Sequence, residues 1–535
     1  MLGVAHERSD ARYGAGVAHR SLLLKHQLFQ RLETDLCACH HDQAMRTSAA
    51  QTTIPALALR KDSSTTSDVL QVTFEARLPD GRARGCGGDT YLLMFDSGPE
   101  RSMPHLTDHC NGSYTVSVQL STPGHYSWNA VLEWDHNRGL DERKDPTGIG
   151  QRSAAIHQPL QRKWVVDLLP ASQPAPRPQQ PCSRTDTPAR YVRLPTTGGA
   201  VASAFNQRKR SNPGLFNGLL SSQRDTTPVD KWVPFDCVRQ QCTTAQLRHA
   251  LSGRVIGFVG ESATRQMHLH FITLALGVDV IEPCGCEAGH GACNGCLCHG
   301  MFVTRVPVVP GRAGQRIQAM CFENAASINA TDLPAPPLND EIVVTFQWLT
   351  GVACEDGKGS NVTRWGISVS ECKRISGDDV VQRRLMDWWL PQVHYPVVNL
   401  GMHETMRDGT RGCLNHFAKD IDWVSALTEK ARMRFLLEST ADVRSFSEAE
   451  LLIGPPRPGQ ALPRGLLTTR HEYCALLQQE WARGQKGQDG GMLHWQYIER
   501  YAPSWLSPEW NENAVHYVAQ PAILNIASAI YAATT

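Results

Sequence analysis

The 535-residue sequence has no long apolar run, almost no net charge and no internal repeat. No stretch reaches the ~18 consecutive apolar residues of a membrane-spanning helix, so we expect no transmembrane segment. Lysine and arginine total 53 against 52 acidic residues, and a net charge of +1 excludes the positive field of a nucleic-acid-binding protein. Near the N-terminus only residues 22–24 form an apolar run, which is too short for the core of a signal peptide.

Cysteine, in contrast, is abundant. Seventeen cysteines accompany three N-x-S/T sequons at Asn111, Asn329 and Asn361. Disulfides and N-glycans both form in the secretory pathway. Two explanations remain open: the cysteines serve a cytosolic purpose, or the protein is secretory and its leader is not part of this sequence. We favour the second and expect a glycoprotein of the Golgi lumen or the extracellular space.

The first 225 residues predict three segments. Residues 1–65 show no sustained periodicity and are expected to be disordered. Residues 66–168 alternate apolar and polar side chains over 70–76, 114–120 and 126–132, with turn residues between, a pattern typical of an antiparallel β-sandwich. Residues 169–225 are rich in proline, glutamine and serine and are predicted to be a linker.

Residues 226–535 predict an α/β domain. Short apolar runs at 254–259, 342–349, 396–400 and 433–437 are separated by helical patterns, including one at 263–276 and a last helix after Pro521. Uniformly apolar strands that alternate with helices indicate a mainly parallel sheet with helices on both faces. The expected protein is thus multidomain, a sandwich followed by a three-layer α/β domain.

Three short blocks in this domain carry side chains suited to catalysis. Ser262 stands where a buried strand becomes a helix, within Gly260-Glu261-Ser262-Ala263-Thr264-Arg265-Gln266. The free N–H groups of a helix start favour a developing negative charge, although serine at such a junction is also a common N-cap. A later strand ends in Asn399-Leu400-Gly401-Met402-His403, and Glu512, Asn513 and His516 precede the final helix.

These blocks resemble those of SGNH/GDSL hydrolases. With residues 232–237 they are most similar to the PC-esterase branch and, within it, to the NXPE C-terminal domain, a relative of the trichome-birefringence-like O-acetyltransferases. The resemblance covers about residues 225–535. The segments 87–91 and 108–116 resemble the filamin or immunoglobulin-like domain that precedes the esterase domain in NXPE proteins.

The resemblance implies a serine-dependent carbohydrate O-acetylesterase or O-acetyltransferase. Ser262 would be the nucleophile, His516 its base, and Asn399 with the Ser262 N–H would bind the oxyanion. Gly260, Glu261, Arg265, Gln266, Gly401, His403 and Glu512 would support the site. The implied partner is a glycan or polysaccharide. An esterase would need no cofactor, whereas a transferase would need an acyl donor such as acetyl-CoA or an acetylated glycan.

Two positions depart from the family pattern. Glu261 replaces the usual aspartate of Gly-Asp-Ser, and Asn513 stands where the family has the aspartate that orients the histidine. An amide can hold the imidazole tautomer but cannot stabilise the imidazolium as a carboxylate does. The alternative hypothesis is therefore a catalytically decayed carbohydrate-binding or adhesion glycoprotein.

A cysteine-rich segment allows two interpretations. Cys293 and Cys296 have metal-ligand spacing and with Cys284 or His299 could complete a structural zinc site, which leaves a zinc-dependent protein as a third hypothesis. We favour local disulfides, because the cysteine count and the sequons indicate an oxidising compartment. Neither interpretation makes the segment catalytic.

Overall fold

A computed structural model of the chain describes residues 47–61, 68–87, 89–102, 104–134, 158–168, 180–182, 189–193, 230–240, 242–281, 301–309, 316–322, 337–349, 380–400, 417, 420–437, 478–479, 481–482, 495–498, 511–513, 516–517 and 520–534.

The first third of the chain folds into antiparallel sheets. Its strands are β1 (Thr53–Lys61), β2 (Asp68–Glu75), β3 (Thr90–Ser97), β4 (Glu100–Ser102), β5 (His105–Asp108), β6 (Ser113–Leu120), β7 (Gly124–Trp134) and β8 (Gln158–Leu168). One sheet has the order β1-β2-β6-β5 and another the order β3-β7-β8. Their buried side chains form one shared core. The predicted alternation is confirmed in β2 and β6, which bury every second residue.

Strand β1 lies within the segment 1–65 for which the sequence predicts disorder. Its backbone pairs with β2 from Ala56 to Lys61, and this pairing orders a segment whose own pattern is poor. Pro55 has no N–H to donate, and the register shifts between Thr53 and Ala56. A local pattern therefore could not reveal a strand that depends on its neighbour.

A small sheet corrects the predicted linker at residues 169–225. Strand β9 (Ala189–Arg193) lies within that range and pairs with both β4 and β10 (Asp230–Pro234). The Arg190 guanidinium donates to the buried Glu100 carboxylate at 2.8 Å. A disulfide between Cys182 and Cys237 links the segments on either side of this strand pair. The partners of β9 are distant in sequence, so local composition did not predict it.

The second half of the chain contains a mixed sheet of seven strands. The remaining strands are β11 (Arg254–Gly260), β12 (Asp279–Ile281), β13 (Met301–Pro307), β14 (Arg316–Gln318), β15 (Met320–Phe322), β16 (Glu341–Trp348), β17 (Tyr395–Asn399), β18 (Arg434–Leu437), β19 (Trp495–Ile498), β20 (Asn511–Asn513) and β21 (His516–Tyr517). The sheet order is β15-β13-β16-β11-β17-β18-β19. The five neighbouring strands β16, β11, β17, β18 and β19 run parallel to one another, which confirms the expected mainly parallel sheet. Near one edge, β13 runs in the opposite direction, and its pairings with β16 and with the edge strand β15 are antiparallel.

Helices pack on both faces of this sheet. They are α1 (Thr244–Ala250), α2 (Ser262–His270), α3 (Val380–Trp389) and α4 (Gln520–Thr534), with a π-helical turn at Phe271–Ala275, a 3-10 turn at Leu390–Gln392 and helical residues 420–427. Helices α1, α2 and α4 share a core with Ile256 and Phe258 of β11. Helix α3 and residues 420–427 share the opposite core with Val255 and Val259. Alternate residues of β11 are thus buried on two sides, which explains its uninterrupted apolar run.

No helix within the described part of the chain is long and apolar enough to cross a membrane.

Candidate active site

The junction of β11 and α2 sets the position of Ser262. Strand β11 ends at Gly260, Glu261 occupies the N-cap position with an extended backbone, and Ser262 is the first helical residue. Glu261 is buried, and its side chain makes no capping hydrogen bond to the helix. The alternative that Ser262 serves as the N-cap is therefore wrong. The backbone N–H of Ser262 instead lies in the first turn of α2, where N–H groups have no partner within the helix.

Gly260 permits a close approach between this junction and the neighbouring strand β17. A Cβ atom added at Gly260 would lie 2.5 Å from the carbonyl oxygen of Asn399 and 2.5 Å from Oγ1 of Thr264. Gly260 also has φ of +155°, which side chains rarely tolerate. Only glycine fits here, and its absence of a side chain brings the ends of β11 and β17 together at the start of α2.

Asn399 is the last residue of β17 and is fully buried. Its Nδ2 donates a hydrogen bond of 3.5 Å to the carbonyl oxygen of Leu437 on β18. The amide is thus held between two strand ends at the carboxyl edge of the sheet, which is where ligand sites lie in open α/β folds. The side chain has the donor chemistry of an oxyanion ligand.

Asn513 and His516 are cross-strand partners. They are paired residues in the antiparallel β20–β21 ladder, where the register shifts between Asn511 and Asn513. Glu512 falls at this irregularity and has no partner in the ladder. The backbone register thus pairs Asn513, rather than Glu512, with His516.

Strand β21 also lies against helix α2. His516 is at the start of β21, and Ser262 is at the start of α2. These elements are separated by about half of the chain, yet the fold brings them together. The backbone therefore places the segments that carry the predicted nucleophile and base beside each other, while Asn399 approaches the same helix through Gly260.

The other predicted supporting residues fall into two groups. Arg265 and Gln266 are half-buried on the first turns of α2, where the Arg265 N–H donates to the Glu261 carbonyl at 2.9 Å. Gly401 and His403 lie outside the described residues, as does the cysteine-rich segment with Cys284, Cys293, Cys296 and His299. Within the described ranges, no group of three or more His, Cys, Asp or Glu residues is arranged to hold a metal ion.

Two residues of α2 were missed by the sequence interpretation. Thr264 and His268 are fully buried and lie one turn apart on the helix. Burial lowers the pKa of His268 to about 3. A hydrogen bond with the Val344 main chain raises this pKa, whereas the charge of Arg265 lowers it further. The signal in the sequence was the four-residue spacing of polar residues on the apolar face of a helix.

No protein-family model and no curated protein sequence matches this chain.

Proposed function

We propose that the chain is a serine-dependent carbohydrate O-acylesterase or O-acyltransferase, with acetyl as the favoured acyl group. The observation that carries the proposal is the contact between β21, which begins at His516, and α2, which begins at Ser262. A nucleophile and its base must lie within hydrogen-bonding reach of each other, and the contact between the two elements that carry them supports the proposal.

In the proposed reaction, Ser262 Oγ attacks the ester carbonyl carbon while His516 takes the hydroxyl proton. The negative charge on the carbonyl oxygen is stabilised by the Ser262 backbone N–H and the Asn399 amide. Collapse of the tetrahedral intermediate breaks the ester C–O bond, and His516 returns its proton to the departing alcohol. Water or a sugar hydroxyl then resolves the acyl-enzyme, which makes the protein an esterase or a transferase respectively.

The resemblance to NXPE and PC-esterase domains supports a glycan or polysaccharide substrate. In the transferase case, the acyl donor would be acetyl-CoA or an acetylated glycan. A secretory location is supported by the Cys182–Cys237 disulfide, which requires an oxidising compartment. The sequon residue Asn111 is exposed beside β6, as attachment of an N-glycan requires.

One observation favours a second candidate, a catalytically decayed carbohydrate-binding or adhesion glycoprotein. The residue paired with His516 is Asn513, an amide where the resemblance calls for a carboxylate. Loss of the carboxylate in a serine triad lowers the rate by about 10⁴-fold. A protein with so large a deficit would bind a glycan without turning it over.

A fluorophosphonate probe, which labels only activated serines, separates the two candidates. The proposal expects labelling of the wild-type protein that is lost in Ser262→Ala. Ser252→Ala is a matched control, because Ser252 lies just before the opposite end of β11 and its hydroxyl donates to the Asn339 carbonyl. Equal labelling of wild type and Ser262→Ala, or no labelling of either, would favour the adhesion candidate.

A further inference from the structure

Trp348 is the last residue of β16, the strand that lies beside β11. It pairs in register with Gly260, and the Leu349 N–H donates to the Gly260 carbonyl at 2.8 Å. Gly260 stands two residues before Ser262. On the other side of Gly260, the end of β17 brings Asn399 to the same level. Trp348 and Asn399 therefore flank the strand end that leads to Ser262.

The side chain of Trp348 lies on the face of the sheet that α2 covers. Trp348 and Phe346 belong to the core that also contains Met267 of α2, and their rings lie 5.1 Å apart in an edge-to-face arrangement. Leu349, the next residue, lies in the opposite core, as the alternation of side chains along a strand requires. The indole ring thus points toward α2 and away from α3.

The position of Trp348 along β16 matches the first turn of α2. The His268 ring lies 6.2 Å from the Phe346 ring, which fixes where α2 crosses β16. Because α2 follows β11 at the carboxyl edge, its first residue, Ser262, lies about 9 Å from His268 toward that edge. Trp348 is about 7 Å beyond Phe346 in the same direction. The indole ring is therefore placed beneath the turn that begins at Ser262.

The exposure of the two aromatic side chains shows where the core meets the edge of the sheet. Phe346 is 0% exposed, whereas Trp348 retains 7%. A tryptophan that stacks on a sugar ring must expose a whole face of its indole, and 7% is too little for this. Trp348 is instead suited to form one wall of a small apolar space, because aromatic side chains commonly line such sites.

We infer that Trp348 limits the acyl group to acetyl by occupying the space beside Ser262 that a longer chain would need. The inference rests on the proposed function and gives its acyl specificity a structural cause. In the acyl-enzyme, the carbonyl oxygen points toward Asn399 and the Ser262 N–H. The acyl chain extends away from that oxygen, toward the side of Gly260 on which Trp348 lies. A closely packed wall there admits a methyl group and rejects added methylenes.

Hydrolysis of p-nitrophenyl acetate, butyrate and hexanoate by the full chain tests the inference. The wild-type protein should favour acetate. Trp348→Ala removes the wall, so kcat/KM for butyrate relative to acetate should rise by roughly 10- to 200-fold, the range that small differences in apolar size produce. An unchanged ratio, in a protein whose hydrolysis is lost in Ser262→Ala, would overturn the inference.

Phe346→Leu is the matched control for a loosened core. Phe346 is fully buried on the same strand and the same face, two residues further from the carboxyl edge. The control should lower the unfolding midpoint and leave the ratio of butyrate to acetate unchanged, whereas an equal shift in this ratio would contradict a role for Trp348 in selectivity. Trp348→Leu keeps more of the side-chain volume. It repeats the test in a milder form and should shift the ratio in the same direction as Trp348→Ala.

Failure of the inference and failure of the proposed function give different results. If the chain is not an esterase, no variant shows Ser262-dependent hydrolysis, and both proposals fall. If only the inference is wrong, Ser262-dependent hydrolysis remains, with the same chain-length preference in Trp348→Ala. A crystal structure of the Ser262 adduct formed by a methylphosphonate probe gives a second measurement. We expect its methyl group within about 4 Å of the Trp348 ring, and a methyl group directed away from the ring would overturn the inference.

Discussion

The Asn399 carbonyl oxygen occupies the space in which Gly260 would carry a side chain, only 2.5 Å from the ideal Cβ position. This approach joins the ends of two parallel strands at the start of α2. A methyl group at residue 260 would clash with the backbone of β17. That backbone cannot move easily, because it is closely packed within the sheet.

Gly260→Ala should therefore disturb both stability and the candidate site. We expect a loss of about 2–4 kcal/mol, from overpacking and from the positive φ, together with loss of serine-probe labelling. Gly257→Ala on the same strand is the control, because its Cβ would meet side-chain atoms and no backbone, with Val393 at 3.0 Å and Thr345 Oγ1 at 3.4 Å. Urea unfolding measures both, and equal losses in the two variants would contradict this explanation.

Asn513→Asp should increase activity. The substitution restores a carboxylate opposite His516 in the β20–β21 ladder. A carboxylate stabilises the imidazolium formed as the serine attacks, so acyl-enzyme formation should rise by one to about four orders of magnitude. Release of acetate from acetylated glycans, measured beside a Glu512→Gln control, checks this. An unchanged rate, or a larger effect at Glu512, would mean that Asn513 is not the orienting residue.

Stability should fall as the pH is lowered below 6.5. Burial lowers the pKa of His268 from 6.5 to about 3, so between these values the unfolded chain takes up a proton that the folded chain does not. This difference in proton binding lowers the free energy of unfolding by about 2 kcal/mol between pH 7 and pH 5. His394, whose pKa is lowered to about 4 mainly by burial, acts in the same direction.

Unfolding of His268→Leu at pH 7 and pH 5 measures this contribution. The variant should show a shallower decrease than the wild-type protein over the same interval. Leu269→Ala, a packing variant on the same helix, should lose similar stability at both values of pH. A His268→Leu protein that retains the full pH dependence would contradict the assignment.

The Cys182–Cys237 disulfide should stabilise the small β9–β10 sheet. It connects residues separated by 55 positions, and closing such a loop in the unfolded chain corresponds to about 4 kcal/mol. The double Cys→Ser variant should lose stability of this order, and a reductant should reproduce the effect in the wild-type protein. Cys242→Ser, at a free and half-buried cysteine, serves as the control and should change little.

Much of the architecture followed from local pattern. The two-residue alternation predicted β2, β6 and β7, and the apolar runs predicted β11, β16, β17 and β18 of the mainly parallel sheet. The position of Ser262 at a strand-to-helix junction was also predicted from sequence. These features are readable because side-chain periodicity records which faces of an element are buried.

Strand β9 was not predicted, because its partners β4 and β10 are distant in the sequence. Strand β1 was not predicted, because its own residue pattern is poor and its order comes from pairing with the next strand, β2. The complete burial of His268 was not predicted either, because it arises when α2 packs against the aromatic side chains of the sheet.

The sequence by itself determined which residues can do chemistry and on which elements they lie, since residue type and periodicity are local properties. Only the tertiary structure decided that β21 lies on α2 and that the Asn399 carbonyl approaches Gly260. Such relationships arise from strand pairing and from packing across hundreds of residues. They minimise the free energy of the whole sheet, and no short segment contains the information that fixes them.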